Sequence, residues 1–180
     1  PVVLQLMKTV LGGVCRLHSS NPQVIHRDIK PHNIMISLAH PPIGKLHDFG
    51  SAKKLLTLRN FANSMNSVAN LGQSGVTLGY AAPELLEGDA NFEATPACDI
   101  YSLGATMCSM LSGKTKFNAV NPYDVNKDID KNVVDEEIIT LICDMLSSGK
   151  EIKRPNIVAL IDRVSRLAEK YPLSEEAGEE

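Results

Sequence analysis

The stretch from His26 to Gly50 constrains this chain more than any other. It opens with His26-Arg27-Asp28-Ile29-Lys30-Pro31-His32-Asn33 and closes with Asp48-Phe49-Gly50. Between them lie two short apolar pieces, Ile34-Met35-Ile36 and Lys45-Leu46, separated by the breaker Pro41-Pro42-Ile43-Gly44. Short apolar runs around such a breaker predict two strands folded back on each other. A hairpin of this kind carries Asn33 and Asp48 to neighbouring positions at its open end, with Asp28 a short loop away. Two oxygen ligands, a carboxylate base and a lysine at one strand end suit the handling of a metal-bound phosphate.

The flanking sequence is patterned for helices. Leu6, Val10, Val14 and Leu17 recur at helical spacing from Val3 to His18, with Met7 and Leu11 beside them. Gly12-Gly13 lowers helix propensity by about 1 kcal/mol per glycine, which would be offset if it allowed close packing. Ser19-Ser20-Asn21-Pro22 predicts the stop, and Val24-Ile25 a short strand leading into the charged loop. From Gly50 to about Tyr80 the chain is polar and without sustained period, a length of loop that is ordinarily functional. Pro83 suits the first turn of a short helix. Asp99–Leu111 is the most apolar helical stretch, with Ser102, Gly104 and Ala105 small enough for close approach. Residues 113–134 read as irregular, with Pro122 near a short helix start. Asp135 reads as an N-cap before Ile138, Leu141, Ile142 and Met145, and Arg154-Pro155 precedes a final amphipathic helix ended by Pro172. The acidic residues Glu175, Glu176, Glu179 and Glu180 predict a disordered tail over 173–180, leaving one domain over 1–172.

Composition narrows the class. With 180 residues, 43% hydrophobic and 22% charged, the chain is long enough for one full core. A net charge of −3 argues against nucleic acid or an anionic membrane as the main partner. No apolar run reaches the roughly 18 residues of a membrane segment. The four cysteines, at 15, 98, 108 and 143, form no Cys-x-x-Cys pair. Cys15 and Cys108 fall in apolar helical runs as reduced core residues, which implies an intracellular, cytoplasmic protein.

His-Arg-Asp alone is ordinarily a solvent-exposed tripeptide. Here it belongs to an ordered set: the eight-residue loop, Asp48-Phe49-Gly50 beginning fifteen residues after Asn33, Ala82-Pro83-Glu84, Asp99-Ile100-Tyr101-Ser102-Leu103-Gly104, and Arg154. The set resembles the eukaryotic protein kinase family, serine/threonine type, over residues 2 to about 170. The resemblance implies the C-terminal lobe of that fold: mainly α within an α+β domain, a helical bundle whose short β-hairpin carries the catalytic loop and metal motif.

It also implies roles. Asp28 would accept or orient the proton of a substrate hydroxyl, Lys30 would neutralise charge on the transferring phosphoryl group, and Asn33 and Asp48 would hold Mg2+. Met35 would lie beneath the adenine of ATP, its alternative being an ordinary core residue. Lys30 two positions after Asp28, and Thr77 seven before Glu84, match the serine/threonine class. Thr77 would bond Asp28 or Lys30, the alternative being nearby backbone. Glu84 and Arg154 would form a buried pair, Asp99 would accept from the His26-Arg27 backbone, and His26 would stack with Phe49 in the interior. Arg27 with Lys53, three residues after Gly50, would receive a phosphate placed by an upstream kinase on Ser74, Ser67 or Ser64 of the 51–76 loop. Protein serines and threonines are the implied substrates.

The sequence departs from the family in places. Val76 and Leu78 flank Thr77 where glycine and proline are frequent, His47 precedes Asp48 where an apolar residue is commoner, and Tyr101 replaces a tryptophan. More is missing. These residues hold no Gly-x-Gly-x-x-Gly loop, no Val-Ala-x-Lys strand and no partner glutamate helix, since only 25 residues precede His26. The expectation is a cut chain lacking the N-lobe, nearly inactive alone, and aggregating or requiring partners through its uncovered apolar surface. A truncated interaction module without catalysis is the competing reading.

Overall fold

The computed structural model describes residues 1–50, 77–86, 94–114, 124–148 and 153–174. Four helices enclose the main core: α1 (Val2–His18), α3 (Pro96–Ser112), α5 (Glu136–Met145) and α6 (Ile157–Lys170). Two short helices, α2 (Pro83–Leu86) and α4 (Val125–Asp128), and an antiparallel hairpin of β1 (Ile34–Ser37) and β2 (Ile43–Leu46) complete the described elements.

Helices α1, α5 and α6 bury the stripe their periodicity specifies, whereas α3 is buried on all sides from Cys98 to Ser109. Met7, Leu11, Ile100, Leu103, Leu141 and Leu160 are all buried in one cluster, and each such side chain contributes about 1.5–3 kcal/mol of burial. Helix α3 begins at Pro96 rather than Asp99, because Thr95 adopts the extended N-cap conformation and proline suits the first helical position. It ends at the left-handed Gly113, φ 66°. Asp135 caps α5 by accepting from Glu137 N at 2.8 Å. Asn156, which the pattern left unassigned, caps α6 through Ala159 N at 2.9 Å.

Two expectations fail on local grounds. Val24-Ile25 forms no strand; Val24 N donates to Leu17 O at 3.1 Å, so the segment closes the end of α1 instead of pairing. Gly12 and Gly13 support no close packing, since a Cβ at either would meet nothing within 4 Å among the described residues. Cys15 is only half-buried, whereas Cys98 is buried with Cys108. Met35 is not a core residue, being 56% exposed.

Close approach occurs at other glycines. A Cβ on Gly104 would stand 2.8 Å from Met145 Cβ, where α3 meets α5. Overpacking there costs about 1–3 kcal/mol, against roughly 1 kcal/mol gained in helix propensity. Gly104→Ala is therefore expected to lower the urea midpoint, and Gly13→Ala, with nothing to strike, to raise it.

The hairpin is fixed to α1 by Gly44. Its N–H donates to Thr9 Oγ1 at 2.8 Å, and a Cβ there would stand 2.8 Å from Val10 Cγ2. Strand register pairs Ile34 with Leu46, and His47 N extends it by donating to Asn33 O at 3.0 Å. The open end of the hairpin thus brings Asn33 opposite His47, one residue from Asp48.

Candidate active site

The polar residues of the His26–Asn33 loop converge on Asp28. Lys30 Nζ lies 2.8 Å from Asp28 Oδ2 and donates to Thr77 Oγ1 at 2.7 Å. Thr77 Oγ1 in turn donates to Asp28 Oδ1 at 3.0 Å. Asn33 Nδ2 donates to Asp28 O at 2.7 Å and to Oδ2 at 2.9 Å. Thr77 stands 49 positions from Asp28 in sequence, so its hydroxyl ties the segment before α2 to the loop. Asp28 and Asn33 are buried, and Lys30 is half-buried. A carboxylate carrying several donated hydrogen bonds is held in one rotamer, with its approach direction set.

The loop's shape depends on Arg27, whose φ of 70° is left-handed. For a residue with a long side chain that conformation costs roughly 1–2 kcal/mol. Asp99, wholly buried in the first turn of α3, compensates: Oδ2 accepts from His26 N at 2.9 Å and Oδ1 from Arg27 N at 2.8 Å. Burial pushes the Arg27 guanidinium below its ordinary value, with Asp99 opposing the shift. Its Nε and Nη1 are buried and have no hydrogen-bond partner among the described residues. Lys53, Ser64, Ser67 and Ser74 lie outside the described residues.

Sequence reasoning missed His18. Its Nε2 lies 2.8 Å from Asp99 Oδ2 across 81 positions. The available signal was a polar residue on the apolar stripe, four after Val14 and seven after Leu11.

Asp48 sits at the hairpin exit with φ 61°, a conformation Asp tolerates better than most residues. Its Oδ1 accepts from Gly50 N at 3.1 Å, closing a small turn. A Cβ on Gly50 would come within 3.0 Å of that oxygen, so glycine keeps the turn open. Phe49 meets His26 with ring centroids 5.1 Å apart and planes at 54°, a tilted contact rather than a parallel stack. Phe49 is exposed while His26 is buried.

Glu84 and Arg154 form a bidentate pair. Arg154 Nη1 and Nη2 donate to Glu84 Oε1 and Oε2. Arg154 also donates to Ala97 O at 2.9 Å and Ser147 O at 2.7 Å, and lies 4.9 Å from the centre of the Tyr101 ring. Tyr101, in place of a tryptophan, therefore still offers a face to the cation. Burial would raise the Glu84 carboxyl, but the hydrogen bonds from Arg154 overcome it and hold the group below the usual carboxylate range. Beneath the pair, burial pushes the Cys98 thiol up to about 11.

The donor set fits magnesium brought in by a phosphate. Asn33 and Asp48 offer hard oxygens, and among the described residues no group of three or more His, Cys, Asp or Glu could cage a metal. Magnesium characteristically takes one or two carboxylates together with substrate phosphates.

This helical bundle, its hairpin and its loop are those of a protein kinase C-terminal lobe. The protein kinase domain family matches residues 2–170, and the chain belongs to that family, whose members generally use ATP and Mg2+. Receptor-interacting serine/threonine-protein kinase 3 of Rattus norvegicus is 38% identical over 117 residues, 63% of this chain and 22% of that one. Serine/threonine-protein kinase/endoribonuclease IRE1 of Oryza sativa subsp. japonica is 35% identical over 162 residues, 87% of this chain and 17% of its own length. A probable serine/threonine-protein kinase, pknA2, of Bifidobacterium longum is 32% identical over 184 residues, 94% of this chain and 22% of its own. The chain thus spans about a fifth of the length of the curated relatives it matches. No described helix is long and apolar enough to cross a membrane.

Proposed function

We propose that this chain supplies the catalytic half of a cytoplasmic serine/threonine protein kinase that transfers the γ-phosphate of Mg-ATP to protein hydroxyls. The observation that carries the reading is the mutual bonding of Asp28, Lys30, Thr77 and Asn33. Asp28 accepts or orients the proton of the incoming serine or threonine hydroxyl. Lys30 sets positive charge where the transferring group becomes most negative, and needs no reorganisation because Asp28 and Thr77 already fix it. Asn33 and Asp48 hold magnesium, which when bound neutralises phosphate charge. Met35 lies under the adenine, and its exposure on β1 leaves it available for that contact.

This reading requires a phosphate-covering loop and a lysine strand, which these 180 residues do not hold. The exposed Met35 and Phe49 support a cover of that kind. The buried Nε and Nη1 of half-buried Arg27, without a hydrogen-bond partner among the described residues, favour an anion beside this loop, in keeping with phosphorylation of the 51–76 segment by an upstream kinase.

The test is phosphotransfer by the full-length protein with labelled ATP, Mg2+ and a protein substrate. Label is expected on serine or threonine, and Lys30→Met is expected to reduce transfer by about 10²–10³-fold. Full-length protein that fails to bind Mg-ATP would overturn the reading in favour of an interaction module.

A further inference from the structure

Thr9 belongs to no motif of the site, yet its hydroxyl meets the strand that leads to Asp48. Its Oγ1 donates to Leu6 O at 2.8 Å, one turn back in α1, and accepts from Gly44 N at 2.8 Å across 35 positions. The pairing of the hairpin explains why Gly44 needs that partner. His47 N donates to Asn33 O, so these two residues form a hydrogen-bonded pair, and such pairs alternate along an antiparallel ladder. Gly44, opposite Ile36, then falls on a position without inter-strand bonds, and its N–H points away from β1. Gly44 is buried, where an amide without an acceptor is costly. Thr9 supplies the acceptor.

The same contact sets where β2 lies on α1. A Cβ on Gly44 would stand 2.8 Å from Val10 Cγ2 and 3.2 Å from Leu6 O, so the two elements approach as closely as a glycine allows. Asn33 and Asp48 depend on this seat to different degrees. Asn33 is tied to the loop by its bonds to Asp28 O and Oδ2. The Asp48 carboxylate accepts from Gly50 N, only two residues on. Its place therefore follows from the strand that leads to it, four residues after Gly44.

We propose that Thr9 is a positioning residue for Asp48: by accepting the Gly44 N–H it fixes β2 on α1 and so holds the Asp48 carboxylate in place beside Asn33. The consequence for Mg2+ rests on the phosphotransfer reading above; the consequence for the open end of the hairpin does not.

The experiment compares Thr9→Val, matched in shape but without the hydroxyl, with Thr9→Ser, which keeps it, in the full-length protein. Hydrogen exchange is read at the Gly44 and His47 amides and, as reference, at Leu141 and Ile142 in α5. In Thr9→Val, exchange is expected to quicken about tenfold or more at Gly44 and about threefold or more at His47, with the α5 amides within about twofold. The second readout is the Mg2+ concentration that gives half-maximal binding of a fluorescent ATP analogue. Thr9→Val is expected to raise it about tenfold, the size of effect that a lost support of a metal ligand produces. Thr9→Ser is expected to restore protection at both hairpin amides and most of the Mg2+ response.

Equal loss at all four amides, unchanged protection at His47, or identical behaviour of the two variants would each overturn the proposal. So would an unchanged Mg2+ midpoint in Thr9→Val, since a tie that serves stability alone lowers the melting temperature without moving that midpoint. Should the valine variant not fold, Thr9→Ala takes its place in the same comparison. If the unsubstituted protein binds no nucleotide at any Mg2+ concentration, the phosphotransfer reading fails and the exchange pattern decides alone: faster exchange at His47 with rescue by serine upholds the positioning of Asp48, and unchanged exchange there overturns it.

Discussion

Asp28→Asn is expected to slow phosphotransfer by about 10²–10⁴-fold, the usual contribution of a positioned general base. The substitution keeps the side chain's volume and one oxygen to accept from Lys30, whose Nζ lies 2.8 Å from Oδ2 in the unsubstituted chain. What it removes is the negative charge and the second acceptor, to which Thr77 Oγ1 donates at 3.0 Å. The loop's own supports, the bonds from His26 and Arg27 to Asp99, do not involve this side chain. The melting temperature should therefore move only a few degrees, the size expected for one lost hydrogen bond. KM for ATP should stay near its original value, since in the proposed role Asp28 acts on the hydroxyl and not on the nucleotide. A variant that keeps more than about a tenth of the rate, well above that range, would remove Asp28 from the role of base.

The largest expected loss of stability comes from Arg154→Met. The Arg154 side chain is 0% exposed and that of Glu84 11%, so removing the cation strands a carboxylate out of water. Breaking such a pair from one side costs about 3–5 kcal/mol, measurable by urea unfolding. Two carbonyls, Ala97 O and Ser147 O, lose their donor as well. The double variant with Glu84→Gln should recover part of the loss, because the stranded charge is then gone.

The acid dependence of stability has a definite sign. Glu84 is held below the ordinary carboxylate value, Arg154 overcoming the burial that would raise it. The pair's stabilisation is therefore fully present above the ordinary value of about 4.3 and is lost as pH falls through the lowered folded value. In Arg154→Met burial is opposed only by a backbone hydrogen bond and the Cys98 thiol, so the lowering is weaker and acidification should cost the variant less than it costs the parent. Parallel pH profiles for the two proteins would contradict this account.

The parts of this molecule written in local sequence were the easiest to read. The hairpin follows from two apolar runs around a breaker, and α5 from Asp135 ahead of its apolar stripe, because strand and helix signals act over a few residues. Glu84 and Arg154, 70 positions apart, were paired only through the family's pattern. His18 stands outside the motifs that carry the resemblance, and nothing near it in sequence names Asp99 as its partner. The glycines mislead for a related reason. Gly44 follows two prolines and reads as turn, yet it lies in β2, where Val10 leaves no room for a Cβ. Gly12-Gly13 reads as a packing notch, but α1 meets nothing there among the described residues. Whether a glycine is required depends on what faces it across space, and that partner is not adjacent in the chain.

The bonds that shape the catalytic loop also bear on the order in which this lobe assembles. Asp99 reaches His26 and Arg27 across 73 and 72 positions. Contacts this distant in sequence require chain closure before they contribute, so they tend to form late. Helix α1 and the hairpin can gather through Thr9 and Gly44, 35 positions apart, while Arg27 still samples cheaper backbone conformations. The proposed reaction centre is then among the last features to acquire its shape and among the first to lose it. An intermediate with α3 undocked would have much of its helix and its hairpin but no aimed Asp28. Loss of catalytic competence should accordingly precede loss of helical signal as denaturant rises.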